Sequence, residues 1–154
     1  MIVVADSSPL ITLARAHRFD LLHEFYAEVI VSREVHDEVI VAGAGLPGAK
    51  EVQEADWIRV YPGPLESSAE LKASCVGLGI GERSIIYLAG ARRVAKRVGL
   101  SIAGSIAVLE GGTKLGRVTD LRSVYLDLLD QGIRYDRQLL DQSLVRLGLV
   151  TLKS

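Results

Sequence analysis

The chain contains 154 residues, of which 49% are hydrophobic and 24% are charged, and these values are typical of one globular domain over residues 1–154. Its formal net charge of −1, from 18 basic and 19 acidic residues, excludes a nucleic-acid-binding surface that is basic throughout, so any phosphate-binding patch must be local. A single cysteine excludes an internal disulfide and a cysteine-based zinc site, and the three histidines lack the paired spacing of a zinc motif.

The sequence shows no sign of a membrane segment or a leader. No apolar run approaches the ~18 residues that a membrane span needs. The opening MIVVADSSPL contains neither a basic segment nor a cleavage site. We therefore expect a cytoplasmic protein with no membrane partner.

The first element is predicted to be a buried strand. Residues 2–5 are apolar without alternation, which is typical of a strand covered on both faces in a parallel sheet. Asp6 stands at its carboxyl end. Asp6, Ser7 or Ser8 can cap the helix that follows, since Pro9 suits a first helical turn.

The rest of the chain alternates short apolar runs with amphipathic stretches. The predicted strands are residues 28–32, 57–61 and 100–103, and the main predicted helices are residues 19–25, 35–40, 71–76, 82–89, 92–97, 105–109, 121–129 and 135–147. Strands that alternate with helices through short connections predict an α/β fold, a three-layer sandwich with a mostly parallel central sheet and two extra C-terminal helices from about residue 120. Ligands of such folds bind at the carboxyl edge of the sheet.

Acidic residues are the candidates for chemistry at that edge. Asp6 follows the first strand directly, Glu38 lies within a helix, and Glu82 opens a helix after a glycine-rich turn. Taken alone, Asp6 is equally typical of a helix cap. Glu38 and Glu82 are more typical of solvated surface acids, and Glu82 also of an acid in a first helical turn. If the three meet, their charges repel, and a hard divalent cation such as Mg²⁺ is the usual remedy. Such a cluster predicts metal-assisted hydrolysis.

A basic helix follows the last of these acids. Arg92, Arg93, Lys96 and Arg97 occupy positions i, i+1, i+4 and i+5, which places them on one face. That face is either a contact for the phosphates of RNA or an ordinary solvated surface.

Several segments together resemble a known family. The segments are VVADSSPLITLA, VSREVHDEV, LGIGERSIIYLA, ARRVAKRVGLSIAGS and the two C-terminal amphipathic helices. They resemble prokaryotic PIN-domain proteins, in particular the PIN-like subfamily of predicted nucleic-acid-binding proteins related to VapC-type toxins. The resemblance implies an endoribonuclease that uses Mg²⁺ or Mn²⁺ and forms the toxin component of a toxin–antitoxin pair, with RNA, an antitoxin protein and a second copy of the chain as partners.

The resemblance also implies roles for individual residues. The catalytic acids are Asp6, Glu38 and Glu82, with Asp6 and Glu82 as metal ligands and Glu38 as a ligand or a water-positioning base. Ser8 matches the hydroxyl residue that orients the first acid, and Ser105 stands where the family usually has a threonine that supports the site.

The chain departs from the family at one point. Between Gly90 and Ala91, roughly a dozen residues are missing, including a strand that ends in one or two aspartates and that a parallel crossover normally requires. Either the sequence omits a stretch, the chain has repacked without it, or a partner chain supplies a strand. With only three acids left, we expect weaker metal binding.

Two further alternatives follow from the sequence. The loss of an acidic strand favours a non-catalytic PIN-fold module that binds nucleic acid or protein, whereas the retained acids favour the enzyme. The apolar faces of the C-terminal helices, which carry Leu126, Leu129, Leu139 and Leu140, either pack in the core or form a homodimer interface.

Overall fold

The computed structural model describes residues 1–61 and 90–153, and it contains a parallel sheet. Its strands are β1 (Ile2–Val4), β2 (Glu28–Val31) and β3 (Ile58–Val60), hydrogen-bonded in the order β1-β2-β3. Val29 is the central residue of the register, since it pairs with Val3 on one side and with Ile58 on the other. The predicted α/β class with a parallel sheet is confirmed. The helices predicted at residues 71–76 and 82–89, with Glu82, lie outside the described residues.

Helices connect and cover the strands. They are α1 (Ser7–Arg15), α2 (Asp20–Phe25), α3 (Arg33–Asp37) with a π-helical continuation (Glu38–Ala42), α4 (Ala49–Glu54), α5 (residues 90–98), α6 (Ser105–Lys114), α7 (Leu121–Asp130) and α8 (Arg137–Arg146). Helices α7 and α8 are the two predicted C-terminal helices. In the described part of the chain, no helix combines the length and apolar character needed to cross a membrane.

The strand predicted over residues 100–103 is reduced to one bridging pair. Ile102 pairs with Val4 in parallel, on the side of β1 opposite β2. The Val4 N–H donates to the Ser101 carbonyl at 2.9 Å, and the Ala103 N–H donates to the Val4 carbonyl at 2.8 Å. The predicted strand is shorter than expected because the Leu100 N–H still closes the end of α5 by donating to the Ala95 carbonyl at 2.9 Å, so the pairing is confined to the residues around Ile102.

The sheet is covered on both faces, as a three-layer sandwich requires. Val3 belongs to a large core cluster with residues of α1, α2, α6, α7 and α8, whereas Val4 belongs to a smaller cluster with Ala91, Val94 and Ala95 of α5. Successive side chains of a strand point to opposite faces. Helix α5 therefore covers one face of the sheet, and the other helices cover the opposite face.

The C-terminal helices contribute to the core. Leu140 is fully buried and Leu129 is partly buried against the core. Leu126 and Leu139, by contrast, are 37% and 49% exposed. Core packing thus accounts for part of the predicted apolar face and leaves these two leucines on the surface.

Candidate functional site

The carboxyl ends of the strands meet at one edge of the sheet. Asp6 follows β1, Ser32 follows β2, and Gly104 follows the bridging residues 101–103. The Ala5 N–H donates to the Ile30 carbonyl at 2.9 Å, which keeps the first two ends side by side. In parallel α/β sheets this edge is where ligands bind.

Asp6 is buried at this edge, at the start of α1. It occupies the N-cap position of α1 and is only 6% exposed, yet its side chain accepts no capping hydrogen bond. The third residue of α1 is Pro9, which has no N–H, so the N–H of Ser8 is the only capping donor left. The Ser8 N–H nevertheless acts on the carboxylate and lowers its pKa, so Asp6 interacts with the N-terminus of α1 although the geometry of a capping hydrogen bond is not met.

Burial dominates the electrostatics of Asp6. Loss of solvent raises the pKa of its carboxyl, while its own N–H, the N–H of Ser8 and the guanidinium of Arg92 lower that pKa and offset part of the rise. The ionised carboxylate is thus held in a place where its charge is costly. A cation bound at this edge would relieve that cost.

Glu38 stands where α3 changes into the π-helical turn. Ser32 caps α3, because its Oγ accepts the Val35 N–H at 3.2 Å, and the Gly43 N–H donates to the Glu38 carbonyl at 2.9 Å to close the turn. Glu38 is half-buried, and its Oε2 is screened from solvent. Single π-helical turns are frequent at functional sites.

Sequence reasoning missed a second acid on the same helix. Glu34 precedes Glu38 by four residues and is only 7% exposed. Its Oε2 is buried without a hydrogen-bond partner among the described residues. The i, i+4 spacing was the available signal, but an acid in a first helical turn is usually solvated, so its burial could not be predicted.

The donor chemistry of the predicted acids suits a hard cation, but the described residues form no complete metal site. Within residues 1–61 and 90–153, no three Asp, Glu, His or Cys side chains are grouped so that they could hold a metal ion. These residues therefore offer at most two of the predicted acids to a common centre. Glu82, the third, lies outside them.

The two predicted supporting serines differ in their surroundings. Ser8 is exposed, and the group that acts on Asp6 is its backbone N–H. Ser105, the first residue of α6, is buried, and its hydroxyl is hydrogen-bonded to the hydroxyl of Tyr135. Burial raises the pKa of Tyr135, while hydrogen bonds from Ser105 and Thr12 lower it. Sequence reasoning missed Tyr135 and Thr12, since nothing local marks two residues that meet across the fold.

The basic helix is present as predicted. Helix α5 buries Ala91, Val94 and Ala95 and exposes Arg92, Arg93, Lys96 and Arg97. The charge of Arg92 acts on the carboxylate of Asp6 and lowers its pKa. Part of the basic face therefore adjoins the sheet edge that carries the buried acid.

Comparison with known families agrees with this geometry. A family model, DUF3368, described as a PIN domain, matches residues 2–149, so the chain belongs to the PIN-domain family. PIN domains have a nuclease-type fold associated with nucleic-acid binding, and they generally use divalent metal ions. Comparisons with curated proteins and with solved structures return no match.

Proposed function

We propose that the chain is a Mg²⁺- or Mn²⁺-dependent endoribonuclease of the PIN type, with Asp6, Glu38 and Glu82 as its catalytic acids. The observation that carries the proposal is the burial of the Asp6 carboxylate. This carboxylate is buried at the carboxyl edge of the sheet, where ligands of parallel α/β folds bind, in a chain of the PIN-domain family. A buried carboxylate in this position is stabilised by a cation.

The residues divide the work as follows. Asp6 and Glu82 bind the metal ion, and Glu38 binds it or positions the attacking water. When bound, the ion supplies an activated water for attack on a phosphodiester. The N–H groups of Asp6 and Ser8 stabilise the ionised form of Asp6 and so keep it ready to bind a cation.

The sequence departure between Gly90 and Ala91 is best explained by repacking. In the described part of the chain, residues 101–103 hydrogen-bond directly to Val4. These bonds supply the partner that β1 needs on that side without a strand from another molecule. We infer that the chain retains a working sheet edge, with fewer acids and a lower metal affinity than a site with four.

The biological setting is part of the same proposal. The resemblance to VapC-related proteins supports a cytoplasmic toxin that is neutralised by an antitoxin protein. Exposed Leu126 and Leu139 support a homodimer through α7 and α8. The exposed side chains of α5 supply contacts to the RNA backbone. These contacts are salt-sensitive because they displace counterions from the phosphates, and the affinity is modest because the net charge is only −1.

A cleavage assay tests the nuclease. Purified protein is incubated with a mixed structured RNA in Mn²⁺ or Mg²⁺, with an EDTA blank, beside Asp6→Asn, Glu38→Gln and Glu82→Gln. Asp56→Asn is a matched control, since this exposed aspartate precedes β3 at the opposite edge of the sheet. We expect metal-dependent cleavage that Asp6→Asn and Glu82→Gln reduce at least a hundredfold, on the order expected when a metal ligand is lost, and that Asp56→Asn leaves unchanged.

The opposite result assigns the other function. If the wild-type protein is folded by circular dichroism and leaves the RNA intact with both metal ions, the nuclease is rejected. The chain is then a non-catalytic PIN-fold binding module.

A further inference from the structure

The four basic residues of α5 are not equivalent. We propose that Arg92 binds a phosphate of the RNA inside the candidate site, next to Asp6, whereas Lys96 contacts the backbone outside it. This inference rests on the proposed function, because it takes RNA as the substrate.

The direction of α5 sets Arg92 apart. The Leu100 N–H donates to the Ala95 carbonyl at 2.9 Å, and residues 101–103 then run parallel to β1. A helix that leads into a strand through a short turn runs back along the sheet, so the early residues of α5 lie nearest the carboxyl ends of the strands. Lys96 and Arg97 lie about 6–8 Å farther along the helix axis, away from that edge.

Packing fixes this position. Ala91, Val94 and Ala95 are buried against Val4, the last residue of β1, and Ile102 packs against the same cluster. Asp6 follows Val4 by two residues. The packing of these buried neighbours therefore fixes the backbone of Arg92 beside the end of β1. Arg93 is the next residue and is rotated by about 100° around the helix.

The guanidinium of Arg92 is placed to interact with either of two anions, the carboxylate of Asp6 or a phosphate of the RNA. In the structure, the packing of α5 on Val4, two residues before Asp6, brings the guanidinium within electrostatic range of that carboxylate. Arg92 itself is exposed, so its donors also face solvent, from which a substrate arrives. A guanidinium binds phosphate through two parallel hydrogen bonds, which suits it to hold one phosphodiester in a fixed orientation.

This arrangement predicts energetic coupling between Asp6 and Arg92 in RNA binding. Without a metal ion, the carboxylate of Asp6 competes with phosphate for Arg92 and repels the phosphate directly. Neutralising Asp6 should strengthen RNA binding mainly through Arg92. The gain in RNA affinity on neutralising Asp6 should be the same whether or not Lys96 is present, because Lys96 lies farther from the edge.

A double-mutant cycle measures that coupling without catalysis. The affinity of full-length protein for a short fluorescein-labelled single-stranded RNA is measured by anisotropy in EDTA. The variants are Arg92→Gln, Arg92→Lys, Lys96→Gln and Asp6→Asn, with Asp6→Asn also combined with each glutamine variant. Lys50→Gln removes one exposed charge from α4 and serves as the matched control.

We expect Arg92→Gln to weaken RNA binding about tenfold, as for the loss of a charge-assisted hydrogen bond, and Lys50→Gln to leave it unchanged. Arg92→Lys should recover part of the loss. Asp6→Asn should tighten binding several-fold in the wild type and with Lys96→Gln, but not with Arg92→Gln. Equal losses for Arg92→Gln and Lys96→Gln, additive effects of Asp6 and Arg92, or no binding of this RNA by the wild type would each overturn the proposal.

The outcome is separate from that of the nuclease assay. A protein that does not cleave RNA but shows the Asp6–Arg92 coupling retains the phosphate site and loses only the proposed catalysis. A protein that cleaves RNA but shows no coupling is a nuclease in which Arg92 has no special role.

Discussion

The hydroxyl of Tyr135, between α7 and α8, is hydrogen-bonded to the hydroxyl of Ser105, the first residue of α6. Ser105 follows the bridging residues 101–103 at the edge of the sheet that carries Asp6. Through this bond, the C-terminal helices reach the element that borders the candidate site. The extension is therefore tied by a hydrogen bond to the first turn of α6.

Loss of that bond should destabilise the fold. Tyr135→Phe leaves the buried Ser105 hydroxyl without this partner, so we expect the free energy of unfolding to fall by about 1–2 kcal/mol. Urea denaturation followed by circular dichroism measures the change. Ser105→Ala is the partner variant, and the double variant should cost little more than either single one. Strictly additive losses would show that the two hydroxyls do not interact in solution.

Asp6 should be unfavourable for stability. Burial raises the pKa of its carboxyl in the folded state above 3.8, so the folded state holds the proton more tightly and stability falls as pH rises through the folded pKa. At neutral pH in EDTA, Asp6→Asn should therefore raise the free energy of unfolding by roughly 0.5–2 kcal/mol. The stabilisation by Asp6→Asn should vanish below the pKa that Asp6 has in the unfolded chain, because the carboxyl is then protonated in both the folded and the unfolded state. A destabilised Asp6→Asn at neutral pH would contradict this picture.

The π-helical turn at Glu38 should depend on Gly43. A Cβ at this position would lie 2.6 Å from the Val39 carbonyl oxygen, a backbone atom that cannot rotate away. Gly43→Ala should force the turn open and lower the free energy of unfolding by about 1–3 kcal/mol. If Glu38 serves the metal site, Mn²⁺ affinity measured by calorimetry should fall as well. Unchanged stability would show that the chain closes this turn in another way.

Stability should also decline in alkaline solution through Tyr125. This side chain is fully buried, and its hydroxyl lies 2.7 Å from the Ser143 Oγ. Burial raises the pKa of Tyr125 from 10.0 to about 12. Between these values the unfolded state loses the proton and the folded state keeps it, so stability falls as pH rises. Tyr125→Phe should flatten this decline.

Urea denaturation at several pH values, with tyrosinate absorbance recorded in parallel, measures the effect of Tyr125. The alkaline slope should be smaller in Tyr125→Phe than in the wild type. Burial also raises the pKa of Tyr26 and Tyr135, so part of the slope should persist in the variant. An identical slope in both proteins would refute the assignment to Tyr125.

Local patterns in the sequence determined the class of fold and its most prominent acid. An unbroken apolar run predicts a strand buried on both faces, and the following Asp6 must lie at a carboxyl edge because parallel strands share one. The spacing of the basic residues likewise predicts the exposed face of α5. Each of these properties depends on neighbours within one or two helical turns.

Only the tertiary structure decided which residues meet across elements. Periodicity does not separate Arg92 from Lys96, does not reveal that Glu34 is buried, and does not pair Ser105 with Tyr135, thirty residues away. These relationships depend on how each helix is placed against the sheet and where each strand ends. They are set by the packing of Val4 and Ala91 on one face of the sheet and of Val3 and its neighbours on the other, because a close-packed interior permits few placements.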